Sequence, residues 1–345
     1  MKSAFLLSLS AAALAASGAL ADEIRVLNWQ GYGTDLDWSL KAFEEATGNT
    51  VVHEYFNSEQ EMLTKLRTNP GAYDVVLVNA IYNPQATEEG LLAPVDTSAL
   101  ENYAGIPAEF AQSDLVTEGG EVYGVPWTWG VTSFAVNTQV FDPAPGTLEV
   151  LWDPAHAGRV SIRDDAVEAM QIGALATGQG INDIQDLDAV QAKLEALMPQ
   201  VRTFWGSEND WNQFMAAGEF DVATYWSGSA ARSAAMGLPV EFVVPKEGAI
   251  GWLDSLAIPA TSEHKEAAAQ FIDWMIDPEF YVKWDAEGAP ASANAEAAAA
   301  LDETAFNRRV LGDPEVAARV QFQTPVDDGT RQKYLEIWQA LKAAQ

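Results

Sequence analysis

The stretch GWLDSLAIP, residues 251–259, carries the main clue to the fold of this chain. Its second half, Ser-Leu-Ala-Ile, predicts an apolar β-strand that ends at Pro259. Trp252 and Asp254 come just before that apolar run. Residues two apart in a strand point to the same side, so the indole and the carboxylate are expected to share one face. The stretch therefore places an aromatic ring and a charge together at the mouth of a buried strand.

Strand and helix patterns alternate along most of the chain, which predicts α/β lobes with mainly parallel sheets. EIRVLN at 23–28 alternates like a strand, and residues 36–48 have helical spacing with Gly48 as a stop. The roughly 320 residues that follow the N-terminal segment exceed the usual size of one domain, which predicts two lobes. No Gly/Ser-rich or Pro-rich linker separates them, so we expect crossing strands, with 125–137 and 251–259 as candidates.

The N-terminal segment 1–21 has the layout of a secretory signal peptide. Lys2 precedes an apolar stretch, and Ala19-Leu20-Ala21 forms an A-x-A motif before Asp22. The apolar part is shorter than the ~20 residues that span a bilayer. The sequence contains no cysteine, so it has neither disulfides nor the lipid-bearing cysteine of an anchored exported protein. We therefore expect a freely diffusing periplasmic protein.

Charge and motifs narrow the function classes. The chain has 50 acidic and 19 basic residues, a net charge of −31, so repulsion disfavours nucleic acid and anionic membranes as partners. It contains no G-x-S-x-G elbow, P-loop, dinucleotide G-x-G-x-x-G or H-E-x-x-H motif. The histidines His53, His156 and His264 are isolated in the sequence. We therefore predict neither a cofactor nor a metal site.

Aromatic and acidic residues gather at predicted strand ends, where open α/β sheets bind their ligands. They are Trp29, Tyr32, Asp164, Asp165, Glu168, Trp226, Trp252 and Asp254. Tryptophan faces attract cations by ~0.5–2 kcal/mol each, and carboxylates accept charge-assisted hydrogen bonds from ammonium groups. Clustered carboxylates without a cation repel one another, which raises their pKa values. A polyamine would remove that repulsion, while aromatic walls would cover its methylene runs.

Each of these residues also has a purely structural interpretation. Asp165-x-x-Glu168 is the pattern of an acidic helix N-terminus, and from spacing alone that interpretation is favoured. Both roles are compatible if only one oxygen of Asp165 caps the helix. Taken singly, Trp226 and Trp252 are more often core residues, whereas Trp29 and Tyr32 suit packing at a lobe edge as well as ligand contact.

Six segments together resemble the spermidine/putrescine-binding proteins, the periplasmic solute-binding components of polyamine ABC transporters. They are NWQGY (28–32), GAYDVV (71–76), YGVPWTWG (123–130), RDDAVEAM (163–170), YWSGSAA (225–231) and PKEGAIGWLDSLAIP (245–259). The resemblance implies an α/β type II periplasmic-binding-protein fold, with two lobes joined by crossing hinge strands and ligand in the cleft between them. We accordingly place lobe 1 at 22–131 plus 254–296 and lobe 2 at 132–253 plus 297–345. The resemblance further implies a monomer that catalyses no reaction. Its expected role is to deliver a polyamine, spermidine or putrescine, to an inner-membrane ABC permease.

The resemblance also implies which residues bind the ligand. The predicted set is Trp29, Gln30, Tyr32, Asn79, Asp165, Glu168, Trp226, Trp252, Asp254 and Gln323. Its three carboxylates match family positions that bind ligand nitrogens, and its later tryptophans match the aromatic walls against the methylene chain. Two positions depart from the family pattern, because Ile81 and Ala289 stand where the family often has tyrosine. The choice among spermidine, putrescine and a related amine is therefore open.

Two other functions stay open from the sequence. One is a receptor for another cationic or zwitterionic amine. A zwitterion needs an arginine that anchors its carboxylate, and Arg163 and Arg232 are the candidates. The other is a secreted hydrolase that uses two carboxylates on opposite sides of a glycosidic bond. Asp165 and Glu168 fit that requirement poorly, because they are predicted to lie on adjacent turns of one helix.

Overall fold

The computed structural model describes residues 21–345 of the chain. The predicted signal peptide, 1–21, therefore lies outside the described residues except for Ala21. Within the described part, no helix has both the length and the apolar character that crossing a membrane requires.

Most strands belong to one mixed sheet that runs through the molecule. In chain order they are β1 Glu23–Asn28, β2 Thr50–Tyr55, β3 Val75–Asn79, β4 Leu92–Ala93, β5 Thr117–Glu118, β6 Glu121–Val122, β7 Val125–Asn137, β8 Val160–Arg163, β9 Val201–Trp205, β10 Val222–Trp226, β11 Val240–Val243, β12 Ala249–Pro259, β13 Ala291–Ser292 and β14 Val320–Phe322. The main path of the sheet is β2-β1-β3-β12-β7-β10-β8-β9. The three strands at each end are parallel, as predicted, whereas β12 and β7 run antiparallel to each other and to their outer neighbours.

Helices connect these strands, and several begin or end at residues that the sequence predicts. They are α1 Asp37–Thr47, α2 Glu59–Thr68, α3 Asn83–Glu88, α4 Ala108–Ala111, α5 Ala166–Ala176, α6 Leu187–Leu197, α7 Glu208–Ala216, α8 Ser227–Ala235, α9 Lys265–Met275, α10 Pro278–Asp285, α11 Ala295–Ala300, α12 Pro314–Ala317 and α13 Asp328–Ala343. Gly48 ends α1 with a φ of 82°, a left-handed conformation that glycine adopts without strain. Ser58 caps α2 by accepting the N–H of Glu61 at 3.1 Å.

The two long central strands confirm the predicted crossings. Strand β7 covers 125–137 as predicted, and β12 pairs with it from Ile250 to Leu256. Strand β12 begins at Ala249, so Trp252 and Asp254 lie inside the strand rather than ahead of it. The backbone of β7 supplies hydrogen-bond partners along this polar part, which is why the strand extends beyond its apolar run. A register irregularity follows directly after Asp254.

The buried apolar side chains form separate bodies on the two sides of the crossing strands. The first surrounds β1 and β3 and includes Phe43 and Leu301. The second surrounds β8 and includes Trp338 from α13. A third cluster surrounds Trp211 and Tyr225, whose stacked rings have centroids 3.7 Å apart. This division of the core gives the two lobes.

Candidate functional site

The carboxylate of Asp254 is enclosed by neutral polar groups from other segments of the chain. The hydroxyl of Tyr32 donates to its Oδ2 at 2.8 Å, and the side-chain amide of Asn79 donates to its Oδ1 at 3.0 Å. Only 8 % of Asp254 is exposed. Burial raises the pKa of Asp254 to about 6, although the hydrogen bonds from Tyr32 and Asn79 oppose that rise. Asp254 is thus a buried acid whose donors are both uncharged.

The loop after β1 brings Tyr32 to this carboxylate. Asn28, the last residue of β1, holds the loop by donating to the carbonyl of Tyr32 at 3.0 Å and to Thr34 at 2.8 Å. Gly33 has a φ of 79°, and a Cβ there would lie 2.4 Å from the ring of Trp284. Only glycine meets both conditions without displacing that ring.

Glu59, the first residue of α2, lies close enough to Asp254 to be affected by its charge. Its Oε2 is enclosed and has no hydrogen-bond partner among the described residues. Burial raises the pKa of Glu59 well above its usual value, and the charge of Asp254 raises it further. Sequence reasoning missed Glu59, because the cap between Ser58 and Glu61 already explained this segment. The sequence feature that could have indicated Glu59 is its position directly after the capping residue Ser58.

Asp165 and Glu168 meet at the start of α5. Oδ1 of Asp165 accepts the backbone N–H of Glu168 at 2.9 Å, so the helix-cap interpretation is confirmed for one oxygen of Asp165. Glu168 is only 5 % exposed, and its Oε2 accepts from Nη1 of Arg163 at 2.9 Å. Its Oε1 is enclosed without a partner in the described structure. Burial raises the pKa of Glu168, and the charge of Arg163 partly offsets this effect.

Arg163 also contacts an aromatic residue of the predicted set. The central carbon of its guanidinium lies 4.7 Å from the ring centroid of Trp226, within the range of a cation–π contact. Trp226 ends β10 and packs edge-to-face against Trp205, with ring centroids 4.8 Å apart. We call Glu168 and Trp226 together the Glu168 subsite. Its carboxylate and its ring are both engaged by Arg163.

Trp252 lies against the neighbouring crossing strand. A Cβ on Gly130 would lie 2.3 Å from Cζ2 of Trp252, so the ring occupies the space that this glycine leaves free. The indole is half-buried, and its Nε1 is enclosed without an acceptor in the part of the chain that the structure describes. A buried indole N–H without an acceptor is unusual in a plain core position.

The other predicted residues lie around these groups with differing exposure. Trp29 is half-buried, with its ring 4.6 Å from that of Phe56, and Gln30 is exposed. The side chain of Gln323 donates to Gln171 of α5 at 2.7 Å. Asp164 is directed elsewhere, since its Oδ1 accepts from Trp338 of α13.

Comparison with known proteins identifies the family. The family model described as bacterial extracellular solute-binding protein matches residues 38–316. The chain belongs to this family. It is 33 % identical to the spermidine/putrescine-binding periplasmic proteins of Escherichia coli K12 and Salmonella typhimurium, over 98 % of this chain and 97 % of each relative. The resemblance predicted from the sequence is thereby confirmed.

A solved structure supports the fold of this solute-binding protein. The spermidine/putrescine ABC transporter substrate-binding protein of Streptococcus pneumoniae superposes with a TM-score of 0.84 at 24 % identity. The match covers 94 % of this chain and 99 % of that one. The predicted two-lobe periplasmic-binding-protein fold is confirmed.

The two departures from the family pattern lie in different surroundings. Ala289 is fully buried, and its carbonyl accepts from Asn307 at 2.8 Å. Next to Ile81, the hydroxyl of Tyr82 accepts from Gln60 at 3.3 Å and from Arg331 of α13 at 3.4 Å. Tyr82 thus connects the first turn of α2 with a helix of the second core.

Proposed function

We propose that this solute-binding protein captures a di- or polyamine in the periplasm and delivers it to an inner-membrane ABC permease. The names of the relatives, which match nearly the whole chain, support a polyamine as ligand. The observation that carries the proposal is Asp254, a buried carboxylate whose side-chain donors within residues 21–345 are the neutral groups of Tyr32 and Asn79. A ligand ammonium would supply the positive charge that this carboxylate lacks.

In this proposal no covalent bond is made or broken. Asp254 binds an ammonium group, and the carboxyl group of Glu59 lies near it, close enough for the charge of Asp254 to raise its pKa. Trp252 covers methylene groups of the ligand, and the remaining predicted residues complete the walls. Those residues are Trp29, Gln30, Tyr32 and Asn79 on one side, and Asp165, Glu168, Trp226 and Gln323 on the other.

The lobes would close over the ligand through bending of β7 and β12. We propose 22–131 plus 254–296 as lobe 1 and 132–253 plus 297–345 as lobe 2, with the boundary at 296/297 moved beyond Leu301, because Leu301 packs in the first core. The mature protein would be an exported monomer without a lipid anchor. Gel filtration of the mature chain, with and without putrescine, tests the monomer.

Calorimetric titration of the mature chain with putrescine and spermidine tests the ligand class. We expect binding of at least one of them, and its loss in Asp254→Asn. The control is Asp74→Asn, a buried aspartate just before β3, held by the N–H of Arg25 at 3.0 Å and the hydroxyl of Ser262 at 2.7 Å. This control should bind like the wild type. Millimolar or absent binding of both amines to the wild type would refute the polyamine proposal.

A zwitterionic amine is the second candidate, favoured by the guanidinium of Arg163 at the site. Only one of its five N–H groups is bonded to a side chain among the described residues. Putrescine and 4-aminobutanoate have the same length and differ at one end only. Tighter binding of 4-aminobutanoate, weakened by Arg163→Gln, would favour this candidate. A hydrolase has no comparable support, since Glu168 is bonded to Arg163 and Asp165 caps the same helix.

A further inference from the structure

We propose that Arg163 is a built-in cation that occupies the place of one ligand ammonium and so sets the selectivity of the site. The cleft then accepts an ammonium at Asp254 and disfavours longer amines that need a second ammonium at the Glu168 subsite. This inference rests on the proposed amine-binding function and narrows its ligand class.

Arg163 makes the two interactions that an ammonium ligand would make at the Glu168 subsite. Its Nη1 donates to Glu168 at 2.9 Å, and its guanidinium lies 4.7 Å from the ring centroid of Trp226. A charge-assisted hydrogen bond and a cation–π contact are the forces by which carboxylates and tryptophans hold amines. Because Arg163 supplies both, a ligand nitrogen would have to displace it or lie beside a like charge.

The position of Arg163 is fixed at the backbone. It is the last residue of β8, and its N–H donates to the hydroxyl of Thr224 in β10 at 3.0 Å. Glu168, on the first turn of α5, is held by the cap that Asp165 provides. The two partners are thus presented to each other by neighbouring ends of a strand and a helix.

Arg232, the second arginine candidate from the sequence, is bonded to groups outside the predicted ligand set. Arg232 donates to Glu208 through both Nε and Nη2, and its Nη1 donates to the carbonyl of Gly288 at 2.8 Å. Arg163 has a single side-chain acceptor among the described residues. Arg163 is therefore the arginine that is bonded to a predicted ligand residue, whereas the charge of Arg232 is paired with Glu208.

The opposite end of the site has carboxylates without a basic partner. Asp254 is bonded to Tyr32 and Asn79, and the enclosed Oε2 of Glu59 has no donor within residues 21–345. The subsite at Asp254 therefore has no cation from the described part of the protein, whereas at the Glu168 subsite Arg163 already supplies one to Oε2 of Glu168.

The test uses amines that differ in the number of ammonium groups. Butylamine, putrescine and spermidine carry one, two and three, and each is titrated calorimetrically into the purified wild type and into Arg163→Ser. We expect the variant to bind spermidine at least tenfold more tightly than the wild type does, with a much smaller change for butylamine. The control is Arg202→Ser, which removes an exposed arginine that pairs with Glu219 and should leave all three affinities unchanged.

Unchanged or weaker spermidine binding by a folded Arg163→Ser protein would overturn the inference. Arg163→Gln provides a second variant, which keeps a hydrogen-bond donor for Glu168 but removes the charge, and it should change selectivity in the same direction. Asp254→Asn separates this inference from the function on which it rests. If Asp254→Asn abolishes amine binding while both Arg163 variants leave spermidine affinity unchanged, the receptor proposal stands and the role of Arg163 is refuted. If Asp254→Asn leaves binding intact, the proposed amine site itself fails.

Discussion

The hydroxyl of Tyr32 donates a 2.8 Å hydrogen bond to Oδ2 of Asp254, joining residues 222 positions apart in the sequence. The bond links the loop after β1 to the middle of β12. Together with Asn79 it holds a carboxylate in a buried position, and no basic side chain of the described residues is bonded to that carboxylate. The ligand-free protein therefore maintains an electrostatic cost that a bound cation would relieve.

Asp254→Asn should stabilise the ligand-free protein at neutral pH while weakening amine binding by about 2–5 kcal/mol. The folded-state pKa of Asp254, about 6, lies above its ordinary value of 3.8, so the folded protein binds this proton more tightly than the unfolded chain. Its contribution to the free energy of unfolding is thus fully present below about pH 4 and is lost as the pH rises through 6. In urea unfolding of both ligand-free proteins, the free energy of unfolding of the variant should exceed that of the wild type by up to about 3 kcal/mol at pH 8. The difference should decrease toward pH 4. A wild type that is the more stable protein at pH 8 would contradict the assignment of Asp254 as an uncompensated charge.

Amine affinity should fall as the pH decreases through 6. Protonation of Asp254 competes with the ligand, so below its pKa of about 6 the affinity should decrease by up to about tenfold per pH unit. Titrations at pH 6 in buffers of different ionisation enthalpy should show proton release upon binding. A dissociation constant that is flat between pH 5 and 8 would mean that the ligand does not contact Asp254.

Tyr32→Phe should weaken amine binding by about 1.5–3 kcal/mol, because it removes a hydrogen bond to a charged group. The loss of this donor should also move the pH midpoint of binding upward. The ring would keep its edge contacts with Trp127 and Trp284, so thermal melting should show a fold that persists. Tyr103→Phe, which removes a hydroxyl that donates to the carbonyl of Ala111, is the control and should bind normally. Equal affinities for the two variants would place Tyr32 outside the site.

Gly130→Ala should disturb Trp252 and lower both stability and affinity. The added Cβ would lie 2.3 Å from the indole, which forces the ring or the strand to shift at a cost of about 1–3 kcal/mol. Gly146→Ala is the matched control, because a Cβ there meets no atom within 4 Å. Quenching of tryptophan fluorescence by putrescine should change in the first variant only. If Gly130→Ala loses stability but retains wild-type affinity, Trp252 is a packing residue alone.

The sequence correctly predicts those elements that depend on a local pattern of residues. The strand at 125–137, the stop at Gly48 and the cap at Asp165 follow from periodicity and from the preferences of single residues, and the structure has all three. The bond from Arg163 to Glu168 depends instead on how β8 and α5 meet. Glu59 is likewise assigned to the site only by its proximity to Asp254 in the folded chain. Spacing gives the location of a charge along the chain, but its partner is set by tertiary contacts.

The antiparallel pair β7 and β12 runs through the centre of the sheet and carries Gly130, Trp252 and Asp254. Release of an amine bound there would require these two hydrogen-bonded strands to bend back. Its residence time would therefore depend on the stiffness of the strands as well as on the strength of the contacts. The apparent dissociation constant then equals the intrinsic one divided by the fraction of molecules already bent into the binding-competent shape. Substitutions in these two strands would therefore change solute preference and the rate of solute release together.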